Sequence, residues 1–133
     1  MSELRLDIPG IPPSVGHYNA YRVVSPRNGK PFVQCYPTKE AKAWCATVAA
    51  VSAGRSLRAS SYVVSFAVYL ANARRQDVDN FSKCLLDSLT QAGVITDDSA
   101  IADLHCYKRI DRANPRTVIV IRGVDEPLFA GAQ

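Results

Sequence analysis

Between Tyr62 and Leu70 the side chains alternate so regularly that only an extended strand accommodates them. Tyr62, Val64, Phe66, Val68 and Leu70 fall on one side, while Val63, Ser65, Ala67, Tyr69 and then Ala71 fall on the other. A period of two is the signature of a pleated strand, and a row of large apolar residues must be covered by another layer. The chain then turns polar through Asn72-Ala73-Arg74-Arg75-Gln76-Asp77 and changes period. At 100° per residue, Phe81, Leu85, Leu89 and Ala92 share one face and Asn80, Lys83, Asp87 and Gln91 the opposite one. This predicts a helix from Asp79 or Asn80 to Ala92, with Gly93 as its stop.

The remaining elements follow from the same rules. Leu4, Leu6 and Ile8 alternate with Glu3, Arg5 and Asp7 as a first strand, ended by Pro9-Gly10 and Pro12-Pro13. Two short apolar runs, Tyr21 to Val24 and Pro31 to Cys35, flank a basic turn in which Asn28-Gly29 would supply positive φ. Thr38 is the expected N-cap of a helix over Lys39 to Ser52, with Ala41, Trp44, Val48 and Val51 on its apolar stripe and Trp44 a core anchor. Strands are expected at Ile101 to Ile110 and Thr117 to Arg122, joined by a turn over Arg112 to Arg116, and a loose tail starts at about 123. The order strand, hairpin, helix, strand, helix, strand, strand implies an α+β fold, a single domain over residues 1–133 with two main helices packed on one mixed sheet.

Composition supports one ordinary globular domain: 133 residues, 47% hydrophobic and 21% charged. The net charge of +4 hides its arrangement. Six of the twelve carboxylates (Asp77, Asp79, Asp87, Asp97, Asp98, Asp103) lie between 77 and 103 with Lys83 the one cation, so that segment carries −5 and the rest +9. A basic body around an acidic island suits phosphate binding everywhere except where a metal cation must intervene, although uneven scatter produces the same sum. Cys35, Cys45, Cys84 and Cys106 form no CxxC pair, and His17 and His105 have no second ligand at zinc spacing. No run approaches the length of a membrane span, and no charged leader precedes an apolar segment. The expectation is a cytoplasmic protein with reduced thiols, no membrane contact and no organic cofactor.

The chemistry concentrates in Asp77-Val78-Asp79-Asn80-Phe81-Ser82-Lys83. If the chain is extended over 77–79, both carboxylates project to one side and Val78 turns to the core. The plain alternative is that Asp79 caps the helix and Asp77 is solvated, which leaves the second aspartate unexplained. A third carboxylate can come from Asp97-Asp98, because a helix of about thirteen residues and an extended return of about six each cover roughly 20 Å. Three aspartates without histidine form a hard oxygen site suited to Mg²⁺, with Mn²⁺ as substitute. Lys83 is placed to neutralise developing charge; its plain alternative, a pair with Asp87 four residues on, has the weaker charge order. Arg22, Arg27 and Lys30 in the hairpin can reach phosphates, or be merely solvated.

The run Arg-Arg-x-Asp-x-Asp-Asn-x-x-Lys over 74–83, followed by Asp87 and Leu89 and then by Ala92-Gly93-Val94-Ile95-Thr96-Asp97-Asp98, resembles the RusA family of Holliday junction resolvases. Pro9-Gly10-Ile11-Pro12-Pro13-Ser14 is similar to that family's exit from the first strand, so the likeness covers roughly residues 4 to 122. The resemblance implies a homodimeric, Mg²⁺-dependent endodeoxyribonuclease that resolves four-way junction DNA by paired symmetric nicks during recombination and repair. Carried over position by position, it makes Asp77, Asp79 and Asp98 the metal ligands and Lys83 the catalytic lysine, with Asn80 and Asp97 in secondary roles. The family's longer arginine run is reduced here to Arg74 and Arg75 between Ala73 and Gln76, which limits the phosphate contacts of that loop. Two other readings stay open on the residues: a non-catalytic nucleic-acid-binding protein, and a related metal nuclease acting on flaps or RNA. Histidine-metal nucleases are disfavoured by two distant histidines.

Overall fold

A computed structural model describes residues 3–73 and 77–125. Six strands and two α-helices form in the order β1 (Glu3–Pro9), β2 (Asn19–Val24), β3 (Phe32–Pro37), α1 (Lys39–Ser52), β4 (Ser61–Leu70), α2 (Ser82–Gln91), β5 (Ile101–Ile110) and β6 (Arg116–Val124). Short 3₁₀ turns stand at Val15–His17, Val78–Phe81 and Asp98–Ala100. Among the described residues no helix is long and apolar enough to cross a membrane.

Helix α1 begins where its cap predicts: the Thr38 hydroxyl accepts from the Ala41 backbone N–H at 3.1 Å. It ends at Ala53, which takes the left-handed conformation at φ 50. Ala41, Trp44 and Val48 are buried. Helix α2 buries Cys84, Leu85, Ser88 and Leu89 and stops at Gly93, whose φ of +76 only glycine adopts without strain. There the Gly93 N–H donates to Thr90 and the Val94 N–H to Leu89, which satisfies two terminal carbonyls. The helices lock together through the indole N–H of Trp44, which donates to the Ser88 hydroxyl at 3.0 Å in the core.

Four strands pair in the order β1-β6-β4-β5, with β1–β6 and β6–β4 antiparallel and β4–β5 parallel. Tyr62, Val64, Phe66, Val68 and Leu70 are all buried on the helix side with Leu6, Ile8, Ile119 and Ile121, as the alternation requires. The helix segment between β4 and β5 makes the crossover that a parallel pair needs.

Three expectations change. The sheet is not one sheet, because β2 and β3 pair only with each other. Their connection over 25–31 is long enough to reverse without positive φ, and neither Asn28 nor Gly29 adopts it. The last two strands lie on either side of β4. The Asp111 N–H donates to the Leu70 carbonyl, and Arg116 bonds Asp111 at 2.7 Å while lying 3.9 Å over the Tyr69 ring, so the 111–115 connection crosses the end of β4. Strand β6 also runs two residues past the expected end at Arg122, with Gly123 and Val124 opposite Tyr62 and Ser61.

Candidate active site

The acidic turn is built where the chain leaves β4 for α2. Asp77 is extended (φ −71, ψ 142), and Val78–Phe81 then winds as 3₁₀ helix before α2 starts at Ser82. The extended run over 77–79 is therefore replaced by a tighter turn, and the residue driven into the core is Phe81, with Val78 half-buried. The backbone reason is the Asn80 N–H donating to the Asp77 carbonyl at 3.0 Å, reinforced by the Ser82 hydroxyl on the Asp79 carbonyl at 2.7 Å. Lys83 follows in the first turn of α2.

Neither carboxylate caps the helix: the turn has no side-chain cap bond, and Asp79 sits inside it. Both are exposed, and neither takes part in an ion pair among the described residues. Asp79 faces β5 closely enough that its charge adds to burial in raising the Cys106 thiol. Asp98 opens the turn that leads into β5, beside Asp97. The Ser99 hydroxyl bonded to Asp97 holds that carboxyl below the usual carboxylate range.

Lys83 makes the pair that its charge order disfavoured: its ammonium lies 3.4 Å from Asp87. Asp87 is also the acceptor of the Tyr18 hydroxyl at 2.7 Å, so a residue from the turn before β2 anchors the carboxylate that holds the lysine. Sequence reasoning missed this tyrosine, and nothing local in the chain marks it, since its partner is 69 residues away. It also missed the open cleft of about 310 Å³ lined by Ile11, Pro12, Pro13, Ser14, His17, Glu40 and Phe81. The proline-rich exit from β1 was the one visible sign of it. Arg27 and Lys30 are exposed at the β2–β3 connection. Arg74 and Arg75 lie outside the described residues.

The structure thus places Asp77, Asp79, Asn80 and Lys83 on one turn and its continuation, with Asp97 and Asp98 on a second turn packed against α2. Among the described residues no three Asp, Glu, His or Cys side chains gather into a cage for a metal. The donor chemistry nevertheless fits Mg²⁺, which keeps most of its waters and is held by one or two carboxylates together with substrate phosphate oxygens.

Residues 20–122 match the family model described as Endodeoxyribonuclease RusA. The chain is similar to the crossover junction endodeoxyribonuclease RusA of Aquifex aeolicus (strain VF5), with 36% identity over 64 residues, 48% of this chain and 51% of that one. It thus spans about half the length of this curated relative. A family match over three quarters of the sequence, a span that includes the Asp77-to-Lys83 turn, places this chain in the RusA family.

Proposed function

We propose that this chain is a divalent-metal-dependent endodeoxyribonuclease that resolves four-way DNA junctions by paired nicks, acting as a homodimer in cytoplasmic DNA recombination and repair. The observation that carries the reading is the pair of carboxylates at Asp77 and Asp79, which cap nothing and neutralise no cation among the described residues. Two exposed like charges on one tight turn repel each other, and a bound cation relieves that cost. Asp77, Asp79 and Asp98 would hold Mg²⁺, or Mn²⁺ in its place. That ion supplies Lewis-acid polarisation of the phosphodiester and acidifies a water.

The protein's own groups do the rest. Asp77 and Asp79, fixed by the 3₁₀ turn, set the place of the cut relative to β5. Lys83, exposed and tethered to Asp87, brings a positive charge to the oxygen that becomes negative as the P–O bond breaks. The Tyr18 hydroxyl holds the Asp87 carboxylate and through it limits where the lysine can reach. The +9 remainder of the chain, including Arg27 and Lys30, attracts the phosphate backbone without reading bases.

The test is Asp77→Asn on a synthetic four-way junction with Mg²⁺. Nicking is expected to fall at least about a thousandfold while junction binding holds or tightens, because a negative charge near phosphate has been removed. Undiminished cleavage would overturn the assigned site. Equal cutting of junction, flap and linear duplex at one salt concentration would retain the nuclease but remove the resolvase reading.

A further inference from the structure

The β2–β3 ribbon has one face that nothing among the described residues covers. In its register Tyr21 stands opposite Cys35 and Val23 opposite Val33, so these four side chains share one side. All four are exposed, and Tyr21, Val23 and Val33 are 67%, 68% and 67% accessible. The other side is ordered from within: the Arg22 guanidinium donates to the Gln34 carbonyl oxygen at 2.7 Å and lies 5.2 Å over the Tyr36 ring. A two-stranded ribbon with a bare apolar face is marginal by itself, and an exposed apolar patch marks a contact surface.

Charge says what that face meets. Between Asp7 and Glu40 the chain holds no carboxylate, while Arg22, Lys39 and the two tip residues Arg27 and Lys30 are cationic. Neither tip cation enters an ion pair among the described residues. A ribbon whose every charge is positive is complementary to a polyanion. Two valines, a thiol and one phenol offer few donors or acceptors for the base edges of a major groove. The sugar-lined walls of a minor groove, by contrast, take apolar side chains between cations, and Pro26 stands at the tip where such arms carry an apolar wedge. Strands of six residues carry the tip roughly 20 Å from the root. That root is fixed beside the acidic turn. The Thr38 N–H donates to the Tyr18 carbonyl at 3.1 Å and its hydroxyl to the His17 carbonyl at 2.7 Å, tying both strand ends to the turn at Val15–His17, which packs against Val78–Phe81.

We infer that the β2–β3 ribbon is a DNA arm that lies in the minor groove of one duplex limb of the bound junction, with Tyr21, Val23 and Val33 against the sugars and Arg27 and Lys30 on the flanking phosphates. The inference rests on the junction nuclease proposed above and names a surface for its substrate. The arm grips duplex away from the cut, and its root sets how far that duplex stands from Asp77 and Asp79. Tyr18, at the same root, bonds the carboxylate that holds Lys83, so the element that grips the DNA is joined directly to the lysine's anchor.

The experiment is affinity for a synthetic four-way junction in EDTA at about 0.15 M salt, where charges more than about 8 Å apart are largely screened. Val23→Glu with Val33→Glu is expected to weaken binding at least about thirtyfold, and Val23→Lys with Val33→Lys to hold or tighten it, because only a face touching phosphates feels the sign. Damage to the fold would weaken both double variants alike, and a face for an apolar protein partner would lose that partner with either charge. Arg27→Ala with Lys30→Ala should lower the slope of log affinity on log salt by about two. Netropsin, which fills A·T minor grooves, should displace the unmodified protein from a junction with A·T-rich limbs. If the acidic and basic double variants bind within about twofold of each other, the arm is wrong, and the nuclease is judged by the nicking of Asp77→Asn alone. If both leave affinity unchanged and alter the solution mass, a second copy covers the face and the arm is again wrong. Binding that survives netropsin overturns the minor-groove placement. If the unmodified protein binds no junction, both the arm and the junction nuclease fail.

Discussion

Replacing Asp87 by alanine removes two bonds of unequal worth. The Tyr18 hydroxyl donates to its carboxylate at 2.7 Å from a ring that is 9% exposed. A bond of that kind to a charged acceptor contributes about 1.5–3 kcal/mol, and losing it strands a partly buried hydroxyl. The Lys83 ammonium lies 3.4 Å away on a side chain that is 59% accessible, which places the pair in the range of about 0.3–0.5 kcal/mol. Asp87→Ala is therefore expected to destabilise by about 2–3 kcal/mol, and Lys83→Ala by about 0.5 kcal/mol at most. Urea unfolding of Tyr18→Phe, Asp87→Ala and the combined variant closes a double-mutant cycle with a coupling of about 1.5 kcal/mol or more. The corresponding cycle with Lys83→Ala should give about a third of that. Equal couplings, or one below about 0.5 kcal/mol for the tyrosine, would refute the assignment of Asp87 as an anchor held from the β1–β2 connection. The same Lys83→Ala protein, stable by this measure, is expected to lose turnover on junction DNA while nearly retaining affinity.

The Tyr18 hydroxyl is pushed above its ordinary value, first by burial and then by its bond to Asp87. A group whose value is raised on folding contributes stability that is complete below its unfolded value, about 10, and is lost as pH rises through the folded one. Unfolding free energy should therefore decline above pH 10, and Tyr18→Phe should flatten that decline; a variant with the same alkaline slope would contradict it. Among the thiols, burial drives Cys84 up to about 12 and raises Cys45 in the same direction, whereas Cys35 is exposed. A thiol reagent at pH 8 should label Cys35 first and Cys84 only after denaturation, and mass mapping that finds Cys84 modified in the native protein would refute its place in the core.

Much of the fold was legible because its signals are local. The alternation through Tyr62 to Leu70, the Thr38 cap and the glycine stop at Gly93 each depend on a few adjacent residues, and each forms as expected. The acidic turn was legible as residue types and spacing but not as shape. An Asp-x-Asp run is compatible with an extended segment or a 3₁₀ turn, and burial of Phe81 under α2 selected the turn. The Asn28-Gly29 signal misled because the connection is seven residues long, which removes the need for positive φ.

The sequence by itself determined the long elements, the apolar faces, the family and the aspartates that flank Lys83 along the chain. It could do so because periodicity, caps and charge are properties of neighbouring residues. Tertiary structure alone decided that β6 inserts between β1 and β4, that the hairpin stands apart, that Tyr18 reaches Asp87 across 69 residues and that β5 is left at an open edge. Those outcomes are set by which surfaces meet once the chain closes, and a strand's pattern records which of its faces is covered without recording by whom.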